Sequence, residues 1–212
     1  MATLDEIKRL RSMTGAGISA VKEALDSSGG DEKKALQYLR QKGMAKADKR
    51  KDNVAANGIL GVYVHTNNRV VTVVEVDCET DFAAKSPDMQ KFANDIALQI
   101  AAANPEFINI ESVSDEKKSE IMDTAEKDLE GKPDNVKESI IKGKLDKYFK
   151  DAVLMEQVLF VDDTKTVKDY LNELVAKIGE KIVIRNFYKF QVAQDVKYCS
   201  LNNEEESNAD KD

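Results

Sequence analysis

Hydrophobic positions along the chain first follow a helical period and then change to alternation. Residues 3–43 carry apolar side chains at helical spacing in three short stretches separated by glycines, and Gly43 follows the third. Residues 58–65 and 69–78 alternate as two strands around Thr66-Asn67-Asn68, a sequence typical of a tight hairpin turn. The pattern therefore predicts three helices followed by a β-hairpin.

The chain beyond the hairpin mixes helices and strands. Ser86-Pro87 predicts the start of a helix that Asn104-Pro105 ends. The other predicted elements are two charged helices at 114–130 and 134–150, a helix at 166–178, and strands at 153–161 and 181–192. The two charged helices form a helical hairpin that either projects as an interaction arm or packs along the domain. The predicted class is α+β, with a three-helix module, an α/β core containing an antiparallel sheet, and this hairpin.

Four segments follow from these patterns. They are a three-helix module at 1–45, a linker at 46–57, an α+β core at 58–198 containing the helical hairpin at 114–150, and an acidic tail at 199–212. The last ten residues hold five acids and one lysine. A segment with so little apolar surface is expected to be disordered.

One stretch, Arg69–Lys85, presents a possible contact site. Its strand carries apolar residues on both faces, which is typical of an interior strand, and it leads into a loop with Glu79, Asp81 and Phe82. A rigid strand followed by a loop with an acid and an aromatic residue is a common way to present a binding site. The composition of this stretch does not identify what it binds.

Composition narrows the function. The chain has 212 residues and a net charge of −7, which argues against broad phosphate binding and predicts no direct nucleic-acid partner. A basic run at 42–52 is interpreted as a solvated linker helix rather than a nucleic-acid arm, because no aromatic residues interleave with it. No apolar run is long enough to span a membrane, so we expect a cytoplasmic protein.

Catalytic motifs are missing from the pattern. Two cysteines and one histidine form no metal-ligand spacing, and no glycine-rich phosphate loop occurs, so no cofactor and no metal site are predicted. His65 is interpreted as a surface residue at a strand end. Glu79 and Asp81 could form an acid–base pair, but a charged loop is the preferred interpretation. A protein-binding module fits better than an enzyme.

Several short sequence motifs resemble those of one bacterial protein family. Leu10-Arg11-Ser12-Met13-Thr14-Gly15-Ala16-Gly17 is similar to the three-helix, ubiquitin-associated-type module of elongation factor Ts. Cys78-Glu79-Thr80-Asp81-Phe82-Ala83-Ala84-Lys85 resembles its central signature, and Lys177–Arg185 resembles its closing stretch. The similarity runs in order from about Leu4 to about Phe190.

The resemblance implies a function for these residues. Members of the family bind elongation factor Tu, in its GDP-bound and nucleotide-free states, and exchange its nucleotide without catalytic chemistry of their own. Thr80, Asp81, Phe82 and Ala83 would then disturb the Mg²⁺ and phosphate site of Tu. The N-terminal module would contact the GTPase domain, and we take Arg11, Thr14, Gly15 and Gly17 as the contact residues. Rival hypotheses are a stabilising protein without exchange activity and a small acid–base enzyme.

The chain resembles the short members of the family, which carry a single core block. That block covers about 53–110 here, and in such members two chains together supply the core. The resemblance therefore implies a homodimer, with the strand Lys181–Val192 as a candidate contact. Cys199 could form an interchain disulfide, although a reducing cytosol disfavours a permanent one.

Overall fold

The structure, a computed structural model, describes residues 2–50, 52–127, 134–193 and 197–200. Over these residues the helices are α1 (Leu4–Thr14), α2 (Ile18–Ser27), α3 (Glu32–Lys49), α4 (Asp81–Ala84), α5 (Pro87–Ala103), α6 (Asp115–Lys127), α7 (Asp134–Ala152) and α8 (Val167–Ile178). The strands are β1 (Asn57–Val64), β2 (Val70–Cys78), β3 (Val158–Leu159), β4 (Asp162–Thr166), β5 (Ile182–Gln191) and β6 (Lys197–Ser200). These elements confirm the α+β class.

The three N-terminal helices pack around a small apolar core. A capping box starts α1, because the Glu6 amide donates to the Thr3 hydroxyl and the Thr3 amide donates to the Glu6 carboxylate. The core consists of Leu10, Val21, Ala24, Leu25 and Ala35, all fully buried. A core of this size is small for an independent domain, which agrees with its grouping with other segments of the chain.

Gly43 does not end the third helix, so that part of the sequence interpretation is wrong. Helix α3 continues through Gly43 to Lys49, and the first part of the predicted linker at 46–57 is therefore helical. A Cβ atom at Gly43 would lie 3.1 Å from the Ala176 Cβ of α8 and 3.3 Å from the Asn172 carbonyl oxygen. The glycine permits a close approach between two helices.

Strand β2 lies inside a four-stranded sheet with the order β1-β2-β5-β6. The predicted hairpin is confirmed, because the His65 amide donates to the Val70 carbonyl and Asn68 adopts a left-handed φ of 56° in the turn. Strands β5 and β6 are antiparallel, with Phe187 opposite Cys199. The side chain of Cys199 lies outside the described residues, so its disulfide stays a prediction.

Helix α5 covers one face of this sheet. The Thr72 hydroxyl of β2 donates to the Ala97 carbonyl at 2.6 Å, and the Lys189 ammonium group of β5 donates to the Ala101 carbonyl at 3.2 Å. Ser86 caps α5 by accepting from the Met89 amide at 3.2 Å, as the sequence predicts. The opposite face of β2 carries Val71 and Val73, which are only partly buried.

Residues 153–161 do not form the single strand expected from the sequence. A 3₁₀ turn occupies Leu154–Glu156, and the short strand β3 pairs irregularly with β4. A side chain of α5 holds this segment, since the Phe160 amide donates to the Gln99 Oε1 atom at 2.6 Å. The apolar segment is therefore held against α5 and pairs only briefly with another strand.

Helices α6 and α7 contact each other as the predicted hairpin. The C-terminal end of α7 is fastened to the segment before α6, because the Phe107 and Glu106 amides both donate to the Ala152 carbonyl. The interaction arm and the packing of this hairpin along the domain both stay predictions.

The chain groups into two compact units. Unit 1 comprises Met1–Leu60, Val76–Ala93 and Lys168–Val183, and unit 2 comprises Gly61–Glu75, Asn94–Val167 and Ile184–Asp212. The division at 1–45, 46–57, 58–198 and 199–212 stays a prediction. Of the acidic tail, Cys199 and Ser200 belong to β6, and residues 201–212 lie outside the described chain.

Candidate functional site

The site expected after β2 is a single helical turn rather than a loop. Thr80 has an extended backbone, with φ −126° and ψ 156°, and α4 begins at the next residue. The Thr80 hydroxyl accepts from the Ala83 amide at 3.3 Å, which is the usual bond of a helix N-cap. Thr80 therefore converts the end of a strand into the start of a helix.

This turn exposes two side chains and buries the two that follow. Phe82 is 83% exposed and Asp81 is also exposed, whereas Ala83 and Ala84 are buried. An aromatic side chain of this size is usually covered in a folded protein. Its exposure on a short helical turn marks Phe82 as a candidate contact residue, while the buried Ala83 anchors the turn.

Asp81 is paired within its own turn. Its Oδ2 atom lies 2.7 Å from the Lys85 Nζ atom, at the i, i+4 spacing of a helix. The hydrogen bond from Lys85, and then the positive charge of that residue, lower the pKa of Asp81. The carboxylate is therefore ionised at neutral pH and is available to solvent.

Glu79 faces different partners from Asp81. Its Oε1 atom accepts from the Lys181 amide at 2.6 Å and from the Arg50 guanidinium group at 3.0 Å. The bond from the Lys181 amide is the main reason why the pKa of Glu79 is lowered. A general acid needs a raised pKa rather than a lowered one, so the geometry gives the acid–base hypothesis no support.

Cys78 lies directly beneath the turn. It is fully buried, and its thiol donates to the Thr80 carbonyl at 3.1 Å. Burial, and then the negative charge of Glu180, raise the pKa of Cys78. The thiol is therefore protonated at neutral pH and is a poor nucleophile.

Glu180 is the residue at this site that the sequence interpretation missed. Its carboxylate accepts from the Thr80 amide at 3.0 Å and from the Thr80 hydroxyl at 2.7 Å. The two residues are 100 positions apart in the sequence, and no local pattern connects them. In the sequence, the stretch Lys177–Arg185 stands out only for its family resemblance.

The four N-terminal candidates surround the turn between α1 and α2. Gly15 ends α1 in a left-handed conformation with φ 66°, and Gly17 precedes α2 with an ordinary φ of −62°. The Thr14 hydroxyl donates to the Leu10 carbonyl at 2.7 Å, and Arg11 is exposed. This turn and the Thr80–Ala83 turn both belong to unit 1.

Replacing Gly15 by alanine is expected to destabilise unit 1 by about 1–2 kcal/mol. The left-handed φ disfavours any Cβ atom, and a Cβ at this position would lie 2.7 Å from the Lys177 Cε atom. Lys177, which is paired with Asp88 at 2.5 Å, would have to move. Urea unfolding measures the loss. Gly17→Ala is the matched control, since a Cβ there meets nothing within 4 Å; equal losses in both variants would contradict this explanation.

No described helix has both the length and the apolar content needed to cross a membrane. In the described part of the chain, no three or more His, Cys, Asp or Glu side chains group together as a metal site would require. The features that stand out at this site are an exposed aromatic ring, an ionised carboxylate and the partly buried hydrogen bonds that support them.

Comparison with known proteins identifies the family. The sequence model of the family described as "Elongation factor TS" matches residues 45–174. Elongation factor Ts of Desulforamulus reducens is 44% identical over 191 residues, which cover 89% of this chain and 88% of that protein. The protein of the same name from Carboxydothermus hydrogenoformans is 45% identical over 197 residues, covering 92% and 90%. That from Moorella thermoacetica is 42% identical over 199 residues, covering 92% and 98%. The chain belongs to the elongation factor Ts family.

Proposed function

We propose that this chain is the guanine-nucleotide exchange factor of elongation factor Tu, the GTPase that carries aminoacyl-tRNA to the ribosome. It binds GDP-bound Tu in the cytoplasm and promotes release of GDP, after which GTP binds. It supplies no catalytic chemistry of its own and needs neither a cofactor nor direct contact with nucleic acid. The observation that carries the proposal, together with the family membership, is the exposed Phe82 ring beside the ionised Asp81.

The exchange mechanism follows from linkage. A protein that binds empty Tu more tightly than GDP-bound Tu must weaken GDP binding by the same factor. The Mg²⁺ ion in Tu offsets the charge of the nucleotide phosphates, so a displaced ion loosens GDP. Phe82 is the wedge that fills space beside the phosphate site, and the Asp81 carboxylate adds negative charge there. Thr80 and Ala83 hold these two residues in place.

The N-terminal module provides a second contact with the GTPase domain. Arg11 and Thr14 lie at the end of α1, next to the glycine turn at 15–17. Met13 and Ile18 are exposed apolar side chains at the same turn. Apolar side chains surrounded by polar ones are common at protein interfaces. This surface and the Phe82 turn act on one partner.

The decisive experiment follows fluorescent GDP leaving purified Tu. Substoichiometric amounts of this chain are expected to accelerate release catalytically, and the rate should saturate with the concentration of GDP-bound Tu. Saturable binding without acceleration would contradict exchange and favour a stabilising protein. An absence of both binding and acceleration would reject Tu as the partner. It would also return the acid–base hypothesis to consideration.

We also propose that the chain acts as a homodimer formed through the sheet face opposite α5. Strand residues alternate between faces, and α5 covers the face that carries Thr72 and Lys189. Partly or largely exposed apolar side chains in unit 2 occur on β1, β2 and β5: Val62, Val64, Val71, Val73, Tyr188 and Phe190. An apolar surface repeated on an identical copy can pair by two-fold symmetry.

Light scattering at micromolar concentration is expected to give twice the single-chain mass of 23.6 kDa. Val62→Lys places a charge on the proposed interface and should shift the mass towards one chain. Val158→Lys is the matched control, because this valine in β3 is exposed to a similar degree and lies outside the proposed face. A wild-type mass near 23.6 kDa would contradict the homodimer.

A further inference from the structure

Two turns in unit 1 hold each other through an exchange of carboxylate bonds. Glu180, between α8 and β5, accepts from the Thr80 amide and hydroxyl. In return Glu79, between β2 and α4, accepts from the Lys181 amide. We call these four residues, Glu79, Thr80, Glu180 and Lys181, the carboxylate clasp.

The clasp sets the direction of the Thr80 hydroxyl proton. A hydroxyl group has one donor and two acceptor positions. Its proton is donated to Glu180 at 2.7 Å, and this leaves a lone pair for the Ala83 amide, 3.3 Å away. Glu180 therefore supports the N-cap of α4 through its bonds to Thr80.

Further contacts and one backbone conformation fix the two turns of the clasp. Arg50 donates to Glu79 at 3.0 Å, and the Asn57 amide group donates to the Glu79 carbonyl at 2.8 Å. Gly179 has a left-handed φ of 81°, which ends α8 and allows the chain to turn so that Glu180 reaches Thr80. Glu180 is thus held in a defined position before any partner binds.

The Phe82 ring depends on this support for its orientation. Helix α4 has four residues, and a helix of one turn is not stable by itself. Phe82 is largely exposed, so little packing within the chain orients its ring. The backbone of α4, fixed at Thr80 and by the buried Ala83 and Ala84, therefore determines where the ring points.

We propose that Glu180 is a positioning residue for nucleotide exchange, which acts through Thr80 to hold Phe82 in the geometry that enters Tu. This inference rests on the proposed exchange function. A ring that is already oriented loses less entropy on binding, so more of its interaction energy is available to weaken the binding of GDP to Tu.

Exchange kinetics on fluorescent-GDP-loaded Tu test this role. Glu180→Ala removes both acceptors, and we expect the maximal exchange rate to fall roughly tenfold or more, with at most about a threefold change in the concentration of half-maximal rate. Glu180→Gln keeps one acceptor oxygen, so it should recover a substantial part of the lost rate. Glu111→Ala, which removes an exposed carboxylate in unit 2, should leave the rate unchanged.

A double-mutant cycle with Phe82→Ala separates positioning from a general structural effect. If Glu180 acts through Phe82, adding Glu180→Ala to Phe82→Ala should lower the rate by less than about twofold further. Losses that multiply would overturn the inference. Thermal unfolding identifies the folded variants, and if Glu180→Ala is unfolded at the assay temperature the same cycle is run with Glu180→Gln.

The outcomes also separate this inference from the proposed function. If the wild-type chain does not accelerate GDP release, the exchange function fails, and the positioning role fails with it. If Phe82→Ala loses exchange and both folded Glu180 variants keep it within twofold, exchange stands and the positioning role is overturned. A similar fall for Glu180→Gln and Glu180→Ala, without any rescue, would also count against the acceptor role.

Discussion

Replacing Phe82 by alanine is expected to slow GDP release from Tu by about thirtyfold while leaving this protein folded. Removal of a buried aromatic anchor at an interface costs roughly 2 kcal/mol or more. Phe82 is 83% exposed in the free chain, so the same substitution removes little packing from the protein itself. Stopped-flow release of fluorescent GDP measures the rate, and thermal unfolding measures the stability.

Phe160→Ala is the matched control for this result. Phe160 is 66% exposed and lies in unit 2. It is not part of either surface proposed to contact Tu, the Phe82 turn or the N-terminal module. Its replacement should leave the exchange rate within about twofold of the wild type. Wild-type exchange by the Phe82 variant would remove Phe82 from the mechanism, and equal losses in the two variants would show a non-specific effect of lost aromatic surface.

Replacing Phe92 by alanine is expected to destabilise the protein by about 3–5 kcal/mol, the largest stability effect predicted for this chain. Phe92 lies in α5 with no exposed surface, and its ring centroid is 5.0 Å from that of Tyr170 in α8. Alanine would leave a cavity between these helices. Because whole domains are stable by only about 5–15 kcal/mol, the variant should unfold at clearly lower urea concentration.

Phe92→Leu should lose considerably less stability, because leucine fills much of the same space. A loss below about 1 kcal/mol for Phe92→Ala would contradict the packing around α5. The pair Phe82→Ala and Phe92→Ala makes the same chemical change ten positions apart. The first should affect exchange and the second stability, because the Phe82 ring is exposed and the Phe92 ring is buried.

Much of the fold follows from local patterns in the sequence. Alternation over 58–65 and 69–78 identified the hairpin of β1 and β2, and apolar residues on both sides of β2 identified an interior strand. Ser86-Pro87 marked the start of α5, because cap chemistry depends on adjacent residues alone. These features depend on interactions over a few positions, which a single sequence displays.

Features that depend on a distant neighbour could not be found in this way. A glycine such as Gly43 is typical of a helix end. In the structure the glycine is instead explained by the close approach of Ala176, which follows it by more than 130 positions. The apolar residues at 153–161 predict a strand. The sequence does not show that this segment bonds to Gln99, which lies about 60 positions earlier. Glycine and β-branched residues each occur in several kinds of local structure, and the residues packed against them determine which one forms.

The candidate site divides along the same line. Asp81 and Phe82 were found from the sequence because they follow a strand and stand out chemically. The sequence interpretation made their segment a loop, and the structure makes it a capped turn whose support comes from Glu180. The residues that present a site are thus easier to predict than the residues that hold it.

Cys78 gives this support a chemical signal. Its thiol is enclosed below the turn and donates to the Thr80 carbonyl, so an alkylating reagent reaches it only when the end of β2 separates from α4. The modification rate of this one sulfur atom then measures how often the turn opens, in the same way that amide exchange measures local unfolding. Oxidants would meet the same barrier as alkylating reagents, so the Cys78 thiol is protected from oxidation for as long as the turn stays closed.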